Sequence, residues 1–213
     1  MLMASPKKTS ANMRPASIVP VLIFTGLYMA AAIVGAVLTG NREFVFYLAV
    51  MAVLIGLIFW VHRRINLTIL TLWALSLWGL MHMAGGLLTL PAGWPHQPPS
   101  PVLYNAWLIP GYFKYDQLVH AYGFGVTTWV CFQGLQAIVL ARGISLQPTL
   151  GALTLSAMAG MGFGALNEII EFIAVLLIPN TNVGGYINTG WDLVANASGC
   201  LIAALLIRKL QWR

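Results

Sequence analysis

Four of the chain's five acidic residues, Asp116, Glu168, Glu171 and Asp192, and two of its four histidines, His82 and His120, fall inside segments otherwise apolar enough to cross a membrane. A carboxylate in hydrocarbon is costly unless it is paired, neutralised or hydrated, so groups of this kind need partners on neighbouring helices. Their spacing supplies them. Asp116 and His120 are i,i+4, Glu168 and Glu171 are i,i+3, Asn167 and Glu171 are i,i+4, and Asp192 and Asn196 are i,i+4, so each set shares one helical face. Glycines accompany each face: Gly86, Gly123, Gly164 and Gly199, with Gly160 and Gly164 forming a GxxxG pair that lets helices approach closely.

The chemistry open to such a set is of three kinds. Two histidines with four carboxylates are the ligand types of carboxylate-bridged iron or manganese sites in helical bundles, with His82, Asp116, His120, Glu168, Glu171 and Asp192 as metal ligands. A single Zn²⁺ on His82, His120 and one glutamate, with water in the open position, fits equally well and points to hydrolysis. Without a metal, Glu168, Glu171 and His120 form an acid/base set acting on a lipid headgroup or isoprenoid carrier. Intramembrane carboxylates and histidines are also the parts of a proton-linked transporter, although the inner half of every span lacks ionisable residues. Against all three stands a non-catalytic role, in which the polar groups fix helix register in a structural or accessory subunit of a larger membrane complex.

The elements that must position these groups follow from composition. Hydrophobic residues make up 59% and charged residues 8% of 213 residues, and the mean hydropathy is +0.82, outside the range of a soluble domain. The expectation is an all-α, polytopic membrane bundle of six transmembrane helices, at residues 18–39, 44–61, 65–90, 116–141, 150–178 and 191–208, behind a disordered basic tail at 1–17. A proline-rich segment, 91–110, carries Trp94, Tyr104 and Trp107 and reads as a partly ordered interfacial cap. Arg42 and Glu43 read as a solvated turn. Cys131 and Cys200 lie in different spans without CxxC spacing and read as packing residues.

The net charge of +6 does not imply nucleic acid, because the basic residues sit singly or in pairs at span ends. They read as topology signals. With the amino terminus in the cytoplasm, Lys7, Lys8, Arg14, Arg63, Arg64, Arg142, Arg208, Lys209 and Arg213 lie inside, and only Arg42 and Lys114 outside. Both termini are then cytoplasmic, and membrane lipid is the expected partner. Depth follows at about 1.5 Å per residue, which puts His82, His120, Glu168, Glu171, Asp192 and Asn196 together in the outer half of the bilayer.

The run His82-Met83-Ala84-Gly85-Gly86, then Tyr115-Asp116 with His120 and Gly123, then Asn167-Glu168-Ile169-Ile170-Glu171-Phe172, then Trp191-Asp192 with Asn196, resembles the motif series of the YjdF-type bacterial inner-membrane proteins. The match covers spans two to six. Tyr115-Asp116 followed by His120 at a span start is more loosely similar to VanZ-like membrane proteins. The first resemblance implies a multi-pass inner-membrane protein of unknown function; the second suggests cell-envelope lipids. Where the YjdF-type pattern has Tyr-Thr-Tyr after the Gly-Gly pair, this chain has Leu88-Thr89-Leu90, which removes two hydroxyls from the rim.

Overall fold

A computed structural model describes residues 17–179 and 181–211; the basic tail at 1–16 lies outside the described residues. Six long helices make up the described chain: α1 (Val19–Thr39), α2 (Arg42–Ile65), α3 (Ile69–Leu87), α4 (Tyr115–Leu140), α5 (Leu150–Leu177) and α6 (Tyr186–Gln211). All six are long and apolar enough to span a bilayer. Their outer faces carry large exposed apolar side chains such as Leu38, Leu70, Leu176 and Leu205, the surface expected where the surrounding solvent is hydrocarbon.

Local sequence sets the ends. Gly40 and Asn66 take left-handed conformations that close α1 and α2. Thr68 and Thr149 cap α3 and α5 by accepting from the amides of Thr71 and Ala152 at 3.3 Å each. The last helix departs from expectation. It begins at Tyr186 rather than Trp191, because the Gly184-Gly185 pair before it interrupts the chain while Tyr186, Ile187 and Asn188 continue the helical turn. That extra turn carries Asn188 into the bundle.

Helices α4, α5 and α6 form a tight triple, α3 packs on α4, and α1 packs on α3. The close approaches rest on glycine. A Cβ at Gly199 would run into the Ala121 carbonyl of α4, and one at Gly164 would stand 2.8 Å from Asn196 Nδ2 of α6. Helix α2, in contrast, leans on α1 and touches α3 and α4 only sparsely. Its main anchor is Phe44, buried with Tyr28, Ala32, Ala36 and Met83, its ring filling the notch left by Gly86.

The proline-rich segment is ordered. Isolated bridges join Thr89 to Val102 and His96 to Ala106, a 3-10 turn spans Leu103–Asn105, and β1 (Trp107–Ile109) pairs antiparallel with β2 (Phe113–Lys114). This cap covers the end of the bundle where α3 stops and α4 starts. The opposite end carries His62, Arg63 and Arg64 in the last turn of α2 and Arg208 and Lys209 in the last turn of α6.

Candidate functional site

The polar groups assemble beneath the cap, and the start of α4 explains how. Lys114 is the cap residue of α4, its amide donating to Gln117 Oε1 at 2.9 Å. The helix therefore begins inside the bundle, with Asp116 and His120 one turn apart on its inner face. The Tyr115 hydroxyl donates to the Met81 carbonyl at 3.2 Å and ties this start to α3.

His120, 2% exposed, is the centre of the cluster. Its Nδ1 lies 3.0 Å from Asn196 Oδ1 and 3.6 Å from Glu168 Oε1. Its Nε2 lies 3.7 Å from Asp116 Oδ1 and 3.8 Å from Glu171 Oε1. An amide oxygen can only accept, so Nδ1–H donates to Asn196 Oδ1, which leaves the lone pair on Nε2, between the Asp116 and Glu171 carboxylates. Those separations exceed hydrogen-bonding distance and suit ligand atoms placed around a shared ion, whose bonds to nitrogen and oxygen run at about 2.0–2.2 Å.

The surrounding amides orient the acids. Asn167 Nδ2 donates to Glu171 Oε1 at 2.8 Å, and Asn188 Nδ2 donates to Asp192 Oδ2 at 2.5 Å and to Asp116 Oδ2 at 3.4 Å. Lys114 Nζ donates to Asn188 Oδ1 and stands 3.6 Å from Asp116 Oδ2. Several buried atoms are left over. Among the described residues, both carboxylate oxygens of Glu168, Oδ1 of Asp192 and Nδ2 of Asn196 have no hydrogen-bond partner, although Asp192 is fully buried and the Glu168 side chain is 9% exposed. Two groups have ligand atoms within 4.8 Å of one another, Asp116 with His120 and Asp192, and His120 with Glu168 and Glu171.

Of the six residues read as ligands, five converge and one stands aside. His82 belongs to neither group. Its Nδ1 meets the hydroxyl of Tyr104 from the cap, that hydroxyl donates to the His82 carbonyl at 2.9 Å, and its ring leans on Trp78 and Tyr104. The cap, whose fold the helical spacing could not convey, holds the His82 ring through Nδ1 at the edge of the cluster. Burial, and then the nearby Asp116 and Glu171, hold the Tyr104 phenol well above its ordinary pKa, so it is a neutral donor throughout the physiological range.

A correction concerns Glu43. It is not solvated: it is 6% exposed and accepts from the Asn182 amide at 3.0 Å on both oxygens and from Asn182 Nδ2 at 3.0 Å. The α5–α6 loop is thereby clasped to the first turn of α2. Lys114, Asn188, Tyr104 and the Glu43–Asn182 pair are the residues that sequence reasoning missed. For Asn188 a signal existed, since Asn188, Asp192 and Asn196 repeat every fourth residue.

Beside the cluster lies a cavity of about 530 Å³ that separates α2 from the rest of the bundle. It runs from the level of Ile18 and His62 to that of Gln97 and Pro99 under the cap. Most of its wall is apolar, from residues such as Val50, Leu54 and Leu75, but near the cap it is lined by His82, Tyr104, Lys114, Asp116, Glu171 and Asn188. Asp116 and Glu171 thus face both the cluster and the cavity.

No curated protein and no solved structure matches the chain. Residues 20–213 match a family described as "Predicted membrane protein (DUF2238)", which agrees with the six apolar helices. The chain is therefore a membrane protein belonging to that family, DUF2238, whose function is unknown.

Proposed function

We propose that this protein is a membrane-embedded, metal-dependent enzyme whose ion sits among Asp116, His120, Glu168, Glu171 and Asp192, and whose substrate is a lipid or another molecule held in the bilayer. The observation that carries the reading is the Asp192 oxygen left without a donor, with the Glu168 carboxylate held only by longer contacts to Asn167 and His120, beside the His120 ring. Three carboxylates lie within 4 Å of one imidazole and a fourth, on Asp192, within 4.8 Å, with the Lys114 ammonium 3.6 Å from Asp116. Buried acids left without donors are expensive, and a divalent cation satisfies them together. A donor set rich in oxygen with one imidazole favours manganese or iron over zinc.

Within this reading the residues divide by position. Asn196 holds the His120 ring through Nδ1, as outer partners of metal-bound histidines do. Asn167 and Asn188 orient Glu171 and Asp192. A bound divalent ion supplies Lewis-acid polarisation and lowers the pKa of a coordinated water. Glu171, on the cavity side, is the carboxylate placed to take a proton from water or from a substrate hydroxyl.

The test is metal analysis of protein purified without chelators. About one ion per chain is expected, with loss in His120→Ala and in the Glu168→Gln, Asp192→Asn double variant while the helical content persists. Failure to retain manganese, iron or zinc after loading would overturn the proposal and leave a register-fixing polar network in a structural subunit.

The orientation belongs to the same reading. Lys114 is buried in the cluster, so among the described residues Arg42 is the one exposed Lys or Arg on the cap side, which supports cytoplasmic termini in a bacterial inner membrane. The YjdF-type resemblance accords with that compartment, and the looser VanZ-like one with an envelope lipid as substrate. Reporter fusions at Gly40, Pro98 and Asn182 should all report the outer face; a cytoplasmic signal at Pro98 would reverse the assignment.

A further inference from the structure

We propose that Glu43 is a positioning residue of the ion cluster, acting through Asn182, the loop at 181–185 and Asn188, so that the seat of α2 and the placement of Asp116 and Asp192 are set together. The inference rests on the metal reading above and adds what holds that site in shape.

The first link is the clasp. Both oxygens of Glu43 accept from the Asn182 amide, and Oε2 also accepts from Asn182 Nδ2, all at 3.0 Å. Among the described residues, Glu43 is the sole hydrogen-bond partner of residues 181–184. One carboxylate on α2 therefore decides where the α5–α6 loop lies. Seating α2 alone does not require it, because Phe44 in the Gly86 notch already holds the same turn.

The second link is the loop. At Gly184 its backbone lies so close to Asn188 that a Cβ would stand 2.3 Å from Asn188 Cβ and 2.5 Å from its Cγ. Those are stem atoms of the side chain, which cannot swing aside as a flexible tip can. A displaced loop takes away the surface on which Asn188 rests.

The third link is the Asn188 amide. Its Nδ2 donates to Asp192 Oδ2 of α6 at 2.5 Å and to Asp116 Oδ2 of α4 at 3.4 Å, while its Oδ1 accepts from Lys114. One orientation is thereby fixed, since turning the amide over would set Nδ2 against the ammonium. Asn188 joins two acids that belong to different helices. Residues in this outer position govern the affinity of a metal site without touching the ion. Glu43, Asn182, Gly184, Asn188 and Asp116 all line the cap end of the cavity, so the three links run along one wall. A movement of α2 at this end is carried to the acids by hydrogen bonds and backbone packing.

The experiment is a double-mutant cycle on the purified protein, with Mn²⁺ as the probe and loss of the free-ion electron paramagnetic resonance signal as the measure of affinity. Glu43→Ala and Asn188→Ala should each weaken Mn²⁺ binding about tenfold. The double variant should bind no more weakly than Asn188→Ala, because Glu43 acts through a side chain already removed. Glu43→Gln keeps one acceptor for the Asn182 amide and should recover part of the loss; it takes the place of Glu43→Ala if that variant folds poorly. Phe44→Leu loosens the same turn of α2 without touching the loop, and should lower the melting temperature while leaving Mn²⁺ affinity unchanged. Additive losses in the cycle, or a loss of affinity in Phe44→Leu equal to that in Glu43→Ala, would overturn the proposal. If the wild type binds no Mn²⁺ the metal reading falls, and the same cycle read as melting temperatures decides the coupling: a double-variant shift smaller than the sum of the single shifts keeps it, and additive shifts overturn it.

Discussion

Helices α4–α6 and helix α2 are made of similarly apolar sequence, yet they pack in opposite ways. The triple is drawn together by small residues and hydrogen bonds: Gly199 lies under the Ala121 carbonyl, Gly164 faces Asn196, and His120 bonds to Asn196 at 3.0 Å. Helix α2 has its own glycine, Gly56, but nothing lies within 4 Å of where its Cβ would be. It is held near its first turn by Phe44 in the Gly86 notch and by Glu43 on Asn182, and near its last by Ile58, Val61 and Ile65 against Val21, Leu67 and Leu72, with its middle left open. In lipid, apolar surface alone gives little drive for helices to associate, so packing goes where small residues and polar contacts allow it. The consequence is a rigid polar half, a loosely held helix, and a cavity between them.

The comparison breaks most strongly at its glycines. Gly199→Leu should disrupt the α4–α6 contact and destabilise the protein by about 3 kcal/mol or more, since the obstacle is backbone and cannot move aside. Gly56→Leu, on the open helix, should change stability by less than about 0.5 kcal/mol. Unfolding in mixed micelles measures both, and a comparable loss in the two would mean that α2 packs as tightly as the triple.

Next in size are the buried acids. With metal removed by chelator, Glu168→Gln and Asp192→Asn should each raise the melting temperature, because a buried acid short of donors is replaced by a neutral amide, a gain of about 1 kcal/mol. With metal present the same substitutions should lower it, because a ligand that binds only the folded state is lost. A change of the same sign in both conditions would contradict an ion-centred cluster.

The smallest effect is expected at the clasp. Glu43→Gln keeps one acceptor for the Asn182 amide but loses the second and the charge, a loss of about 1 kcal/mol. Hydrogen exchange should quicken in the loop at 181–185 and stay unchanged in α4. Uniform exchange in wild type and variant would show that Phe44 alone holds the start of α2.

Much of this was legible before any tertiary structure. Six apolar stretches dictate six helices, because each residue adds the same rise and each backbone polar group must be satisfied within its own span. The facing pairs of Asp116 with His120, Glu168 with Glu171, and Asp192 with Asn196 follow from the same periodicity, and so does their common depth. The start of α6 and the reach of Asn188 were less visible, since helix ends depend on local glycine chemistry rather than on hydropathy.

What only the tertiary structure decided is who meets whom. Helical phase places His82 at the depth of His120, but phase does not say that Tyr104 of the cap claims its ring. Proximity in sequence to Arg42 makes Glu43 look solvated; its burial depends on a loop 139 residues away. Lys114 reads as an outer topology charge and proves to be an internal partner of Asp116 and Asn188. Periodicity fixes direction and depth along one helix, while contacts between helices and loops depend on rotation, tilt and the fold of the cap, none of which is a property of any single segment. The amino-acid sequence alone therefore determined the spans and the acids they carry, and the assembled bundle decided which of those acids share a centre and which face the cavity.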